Sequence, residues 1–273
     1  MGIDKRQPVF SWKMRSDRIG AMQSAYCMTV SDENGTCVWN TGWVESDRSV
    51  AIRYAGKALE SATKYTVSVK VKDQNGTEIL PVSTTFEMGL LGSEPLAPAQ
   101  WITIDEADAS PKQEGRLPIY RKAFAAKDNL TVVKARLYST ALGVYETYIN
   151  GQRVGRLQED GQMRYEELKP GYTQMEDRKF YSTFDVTFLL RSGEKNVLTA
   201  VVTTGWWNGP VVQYMMPKEK TYNESAYMAK LVITYSDGSV TTLDTDLSWK
   251  AARVSAVLEG TGIWEGEVYD AGG

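Results

Sequence analysis

The side chains that could do chemistry in this sequence are mostly carboxylates, and one nucleophile-activating residue type is missing altogether. The 273 residues contain no histidine. That removes the usual general base near neutral pH and the commonest metal ligand. It also excludes Ser-His-Asp and Cys-His nucleophile systems within the chain. Two cysteines, Cys27 and Cys37, are too few for a four-thiolate zinc site. Acids cluster at Asp105-Glu106 with Asp108, at Glu159-Asp160, at Glu166-Glu167, and at Glu265 with Glu267. Paired carboxyl groups do joint acid–base chemistry on one bond only when they flank it, roughly 6.5–9.5 Å apart where a water must fit between. Adjacent acids in polar stretches do not establish that geometry and read better as solvated loops. Glu265 and Glu267 would share a face if they lie on a strand. Asp185, just before Val-Thr, reads as a turn acceptor. No catalytic residue is assigned, and no loop resembles an EF-hand, although a structural calcium held by loop carboxylates stays open.

The surface candidate is Gly205-Trp206-Trp207-Asn208-Gly209-Pro210. Glycines bracket a tryptophan pair and a proline follows, so the backbone is expected to leave a strand here. Trp206 or Trp207 could stack on a pyranose while Asn208 bonds its hydroxyls. Equally, one ring could close the end of a sandwich and the other meet a neighbouring domain. Tyr172, in a Pro-Gly-Tyr loop, carries the same two readings. At least one of the two indoles is expected to stand substantially exposed.

These candidates must be positioned by strands. Hydrophobic residues make up 42% of the chain, enough for packed cores. Eight Trp and fifteen Tyr suit all-β packing. Residues alternate along Tyr65 to Lys72, Leu130 to Tyr138 and Ala229 to Tyr235, and Asn-Gly or Asp-Gly turns separate such runs. Apolar runs such as Val197 to Val202 are strand-sized and too short to cross a bilayer, and the first residues show no apolar leader. The net charge of −3, with signs interspersed, offers no basic stripe for nucleic acid. Glycines and prolines between Gly89 and Pro98 read as a linker, giving domains over 1–92 and 93–273, with Trp101 opening a new strand.

The first domain resembles a fibronectin type III-like sandwich. Phe10 to Trp12 serves as strand B, Ala25 to Val30 as C, Cys37 to Trp39 as C′, Tyr65 to Lys72 as F and Thr84 to Glu87 as G. No A strand is evident upstream of Phe10. If the C–C′ hairpin turns around Glu33-Asn34, Cys37 lies opposite Val30, an odd separation from Cys27, so the thiols point apart and stay reduced. The second domain, with longer strands and crossovers, reads as a jelly-roll β-sandwich.

The run Ala135 to Gly155 (ARLYSTALGVYETYINGQRVG) resembles the N-terminal domain of bacterial α-L-rhamnosidases. Leu168-Lys-Pro-Gly-Tyr-Thr173, Tyr181-Ser-Thr-Phe-Asp-Val-Thr187 and Gly205-Trp-Trp-Asn-Gly209 match in the same order. Pro8 to Trp12, Val38 to Val44, Phe86 to Gly89 and Gly266 to Asp270 fit as well, so the resemblance covers nearly the whole chain. It implies a parent enzyme that continues into a helical (α/α)6 barrel carrying acidic catalytic residues and releasing terminal rhamnose from plant-type glycans. This chain is then an accessory region, bracing that barrel or helping recognise a rhamnose-containing carbohydrate, and inactive by itself. The alternatives are an independent carbohydrate-binding module and a scaffold or adhesion sandwich with no enzyme attached. Such rhamnosidases are often exported, so a periplasmic or extracellular location is expected, with neither nucleic acid nor membrane as partner.

Overall fold

The computed structural model describes residues 1–104, 117–174, 177–208, 225–253, 257–259 and 268–269, the side chains of 208 and of those beyond 253 excepted. The chain divides into two compact units, Met1–Pro95 and Leu96–Gly273, which meet inside the Gly/Pro-rich linker.

The first unit contains β1 (Val9–Phe10), β2 (Gln23–Ser31), β3 (Cys37–Glu45), β4 (Ile52–Arg53), β5 (Lys64–Asp73) and β6 (Glu78–Glu87). Four of them form an antiparallel sheet in the order β3-β2-β5-β6, faced by the small β1–β4 pair. Alternate residues point into one core, where Met28, Val30, Tyr54, Tyr65, Val67 and Met88 are buried. Two turns repeat one solution. Asp32 accepts the amides of Asn34 and Thr36, and Asp73 those of Asn75 and Thr77. Gly35 and Gly76 each supply φ of +80° in these turns. The A-strand position is a single parallel bridge between Ile3 and Met88.

The expected cysteine register is corrected. Cys37 pairs with Ser31, not Val30, and Cys27 pairs with Trp43, because two bulges shift the β2–β3 ladder. The odd-separation argument therefore fails. Both thiols are nevertheless free. The cause is separation along the strand: Cys27 lies four residues from Ser31, about 13 Å at strand rise, beyond disulfide reach.

The second unit contains β7 (Pro118–Ala125), β8 (Val132–Leu142), β9 (Val144–Ile149), β10 (Gln152–Arg153), β11 (Arg156–Leu157), β12 (Met163–Arg164) and β13 (Ser182–Asp185). It continues through β14 (Lys195–Thr203), the one-turn α1 (Gly205–Asn208), β15 (Ala226–Tyr235), β16 (Val240–Asp244), β17 (Lys250–Arg253), β18 (Val257–Glu259) and β19 (Val268–Tyr269). The sheets β10-β9-β14-β7-β17 and β13-β8-β15-β16 form an antiparallel sandwich. Ile149, Leu198 and Val202 of one sheet and Leu137, Phe184 and Leu231 of the other share its core. Each such side chain contributes about 1.5–3 kcal/mol by leaving water. Trp101 does not open a strand; only Ile102 bridges, to Tyr227. Strand β8 runs past its expected end at Tyr138 to Leu142, and Gly143 then turns the chain into the other sheet. There φ is +134°, and a Cβ would lie 2.1 Å from the Thr203 carbonyl oxygen. Only glycine permits that approach.

An aromatic and ion-paired end of the jelly roll

The sequence candidates gather where β9 begins and β14 ends. Thr203 pairs with Val144, and α1 follows at once, its Trp207 amide donating to the Thr204 carbonyl at 2.9 Å. Gly205, at φ +46°, packs so closely that a Cβ would meet Val144 Cγ2 at 2.4 Å. The loop carrying Tyr172 reaches the same strand, because the Tyr145 amide donates to the Lys169 carbonyl at 3.1 Å.

Tyr172 and Trp206 meet edge to face, with ring centroids 5.7 Å apart and planes at 66°. Tyr172 is the exposed ring, at 59%. Trp206 and Trp207 are both half-buried, so the expectation of a substantially exposed indole is corrected. The tight Gly205 turn seats α1 against β9 and takes these rings partly out of solvent. Trp206 Nε1 is buried without a hydrogen-bond partner among the described residues. The backbone of Asn208 closes α1, but its side chain lies outside what is described.

The residue that fixes this loop was not among the candidates. Lys169 is buried, its Nζ 3.0 Å from Glu146 Oε2 and over the rings of Phe184 (5.3 Å) and Tyr145 (5.5 Å). Glu146 also takes a two-pronged contact from Arg153, at 2.9 Å from Nε and 2.6 Å from Nη2. Burial holds the Lys169 ammonium below the ordinary lysine range although Glu146 pulls the other way. Lysine before proline gives no periodic signal, so the sequence could not single it out. Beside the anchor, Leu168 (φ +52°) and Gly171 (φ +95°) bend the chain so that Leu168, Tyr172 and Phe180 face solvent. Tyr165, also exposed, lies under the Arg153 guanidinium at 4.5 Å. Leu168, Tyr172 and Phe180 are the apolar rim of this loop, with the Phe180 ring beside Gly171.

Asp160 accepts the Gln162 amide in an exposed turn, and Glu166 is ion-paired to Arg156. Asp185 accepts the Thr187 amide at 3.0 Å, as a turn acceptor should, and also pairs with Arg136 at 2.9 Å. Asp105, Glu106, Asp108, Glu265 and Glu267 lie outside the described residues. Among those described, no three His, Cys, Asp or Glu side chains cluster to hold a metal.

Residues 130–273 match the family model described as the alpha-L-rhamnosidase N-terminal domain, and residues 1–92 match the Rha78A-like, N-terminal immunoglobulin domain. An alpha-L-rhamnosidase of Formosa agariphila is 30% identical over 296 residues, covering 99% of this chain and 30% of the relative. The structure of alpha-L-rhamnosidase from Dictyoglumus thermophilum superposes with a TM-score of 0.80 at 32% identity, over 99% of this chain and 30% of that one. The native rhamnosidase of Aspergillus terreus gives 0.81 at 29% identity with the same coverage. The chain thus spans about 30% of the length of these relatives. Carrying both matched regions in order, the chain belongs to the α-L-rhamnosidase N-terminal domain family.

Proposed function

We propose that this chain is the accessory, non-catalytic front region of a longer α-L-rhamnosidase that releases terminal rhamnose from plant-type glycans in the periplasm or outside the cell. Its jelly roll braces a neighbouring catalytic domain, an (α/α)6 barrel by family resemblance. The observation that carries this reading is the rim of Leu168, Tyr172 and Phe180, apolar side chains held in solvent by a buried ion pair. Apolar side chains exposed on an anchored loop in this way favour a contact with something else. A second reading rests on Trp206, whose buried Nε1 lacks a described partner beside the exposed Tyr172 ring. That pair would contact the glycan itself.

Tyr172→Ser with Phe180→Ser, placed in the longer polypeptide, separates the two. Bracing requires a lower melting temperature of the catalytic region and reduced turnover of even a small aryl rhamnoside. Glycan contact requires a raised KM for a polymeric substrate with the aryl rhamnoside unaffected. Unchanged stability and kinetics on both substrates would refute both readings.

A further inference from the structure

The first unit leaves part of its own core face open. Val82 lies opposite Val69 and Ile79 opposite Val71, all on the face that buries Tyr65 and Val67 further along β5. Yet Val82 is 76% exposed, and Leu80, at the adjoining bulge, is 86% exposed. The reason is the size of the second sheet. The β1–β4 pair offers two residues per strand, too few to cover a ten-residue β6. The loop after Trp12 stands over the gap and forms a groove, to which it contributes the exposed Met14 and Met22. The same loop brings Lys13, Arg15 and Arg18 to the groove. Asp73, the carboxylate in its wall, accepts the amides of its own turn and pairs with Arg18 at 4.0 Å.

We propose that this groove docks an apolar segment flanked by carboxylates, supplied by the remainder of the longer polypeptide. The inference rests on the reading that such a polypeptide exists. Charge complementarity sets the partner's sign, because Lys13, Arg15 and Lys72 remain beyond the Arg18–Asp73 pair and favour an acidic segment. The apolar floor favours a standing contact, since permanent interfaces are the more hydrophobic kind. A second copy fits poorly: it would bring the same cations together, and Pro81 removes an amide from the β6 edge that strand-to-strand pairing would use.

Oxidative footprinting of Met14 and Met22 tests this, because thioether oxidation follows exposure. Both should oxidise readily in the 273-residue chain and about tenfold more slowly in the longer polypeptide, which a docking preference of about 1.4 kcal/mol provides. Lys13→Glu with Arg15→Glu should restore fast oxidation there. Equal rates in the two proteins would overturn the docking. Protection that survives the charge reversal would overturn the acidic partner. Protection of the 273-residue chain that grows with its concentration would assign the groove to a second copy instead. Rhamnosidase activity of the longer polypeptide, measured separately, distinguishes failure of this inference from failure of the functional reading.

Discussion

Lys169 Nζ lies 3.0 Å from Glu146 Oε2, with the lysine side chain 2% exposed and the glutamate 26%. The pair joins the loop of Tyr172 to the strand against which Gly205 packs. Its asymmetry decides how it fails. Removing Glu146 leaves a buried ammonium without its ion-pair partner, with only the weaker pull of Glu166, whereas removing Lys169 leaves a carboxylate that Arg153 still holds.

Glu146→Gln should therefore cost about 3 kcal/mol at neutral pH. Lys169→Met, which keeps the buried stem apolar, should cost less. Urea unfolding of both variants checks the order. A larger loss for Lys169→Met would show that the lysine supports the loop in some other way.

The alkaline limit of stability follows from Tyr145 and Tyr227. Both phenols are wholly buried, and burial pushes their pKa values far above the ordinary tyrosine range. The unfolded chain ionises them near pH ~10 while the folded chain keeps them protonated. Stability then falls as pH rises through that region. Lys169 acts oppositely: its folded value is depressed, so below the ordinary lysine range stability rises with pH. Above that range the two phenols dominate. Tyr145→Phe with Tyr227→Phe should flatten the alkaline fall, although each loses about 1 kcal/mol at neutral pH with its hydroxyl contacts to Ser139 and Thr147. Urea midpoints from about pH 8 to about pH 11 test this. An unchanged slope in the double variant would exclude these phenols as the cause.

How much of this was legible depends on the length scale of each cue. Period-two alternation and Asn-Gly turns are local, so β2, β5, β15 and most of β8 could be read directly. Bulges are not local. The β2–β3 ladder slips twice with nothing in Cys27 to Cys37 to announce it. Tyr172 and Trp206 could each be nominated from composition, but their contact could not, because 34 residues separate them and a lysine anchor unites them. Trp206 and Trp207 promised exposure, and the seating of Gly205 on Val144 took it away.

The bulged register has a chemical consequence. Cys27 and Cys37 should each react with a thiol reagent when the protein is unfolded without reductant, giving two equivalents per chain. Mass spectrometry after alkylation counts them. A chain with no alkylated cysteine would require a disulfide that the observed pairing forbids.

The central claim, an accessory region without catalytic machinery of its own, is tested most directly by turnover of an aryl α-L-rhamnoside. The purified 273-residue chain should release no aryl alcohol above the uncatalysed rate, while the longer polypeptide at equal molarity releases it steadily. Release that scales with the concentration of the 273-residue chain, and persists through further purification, would contradict the claim.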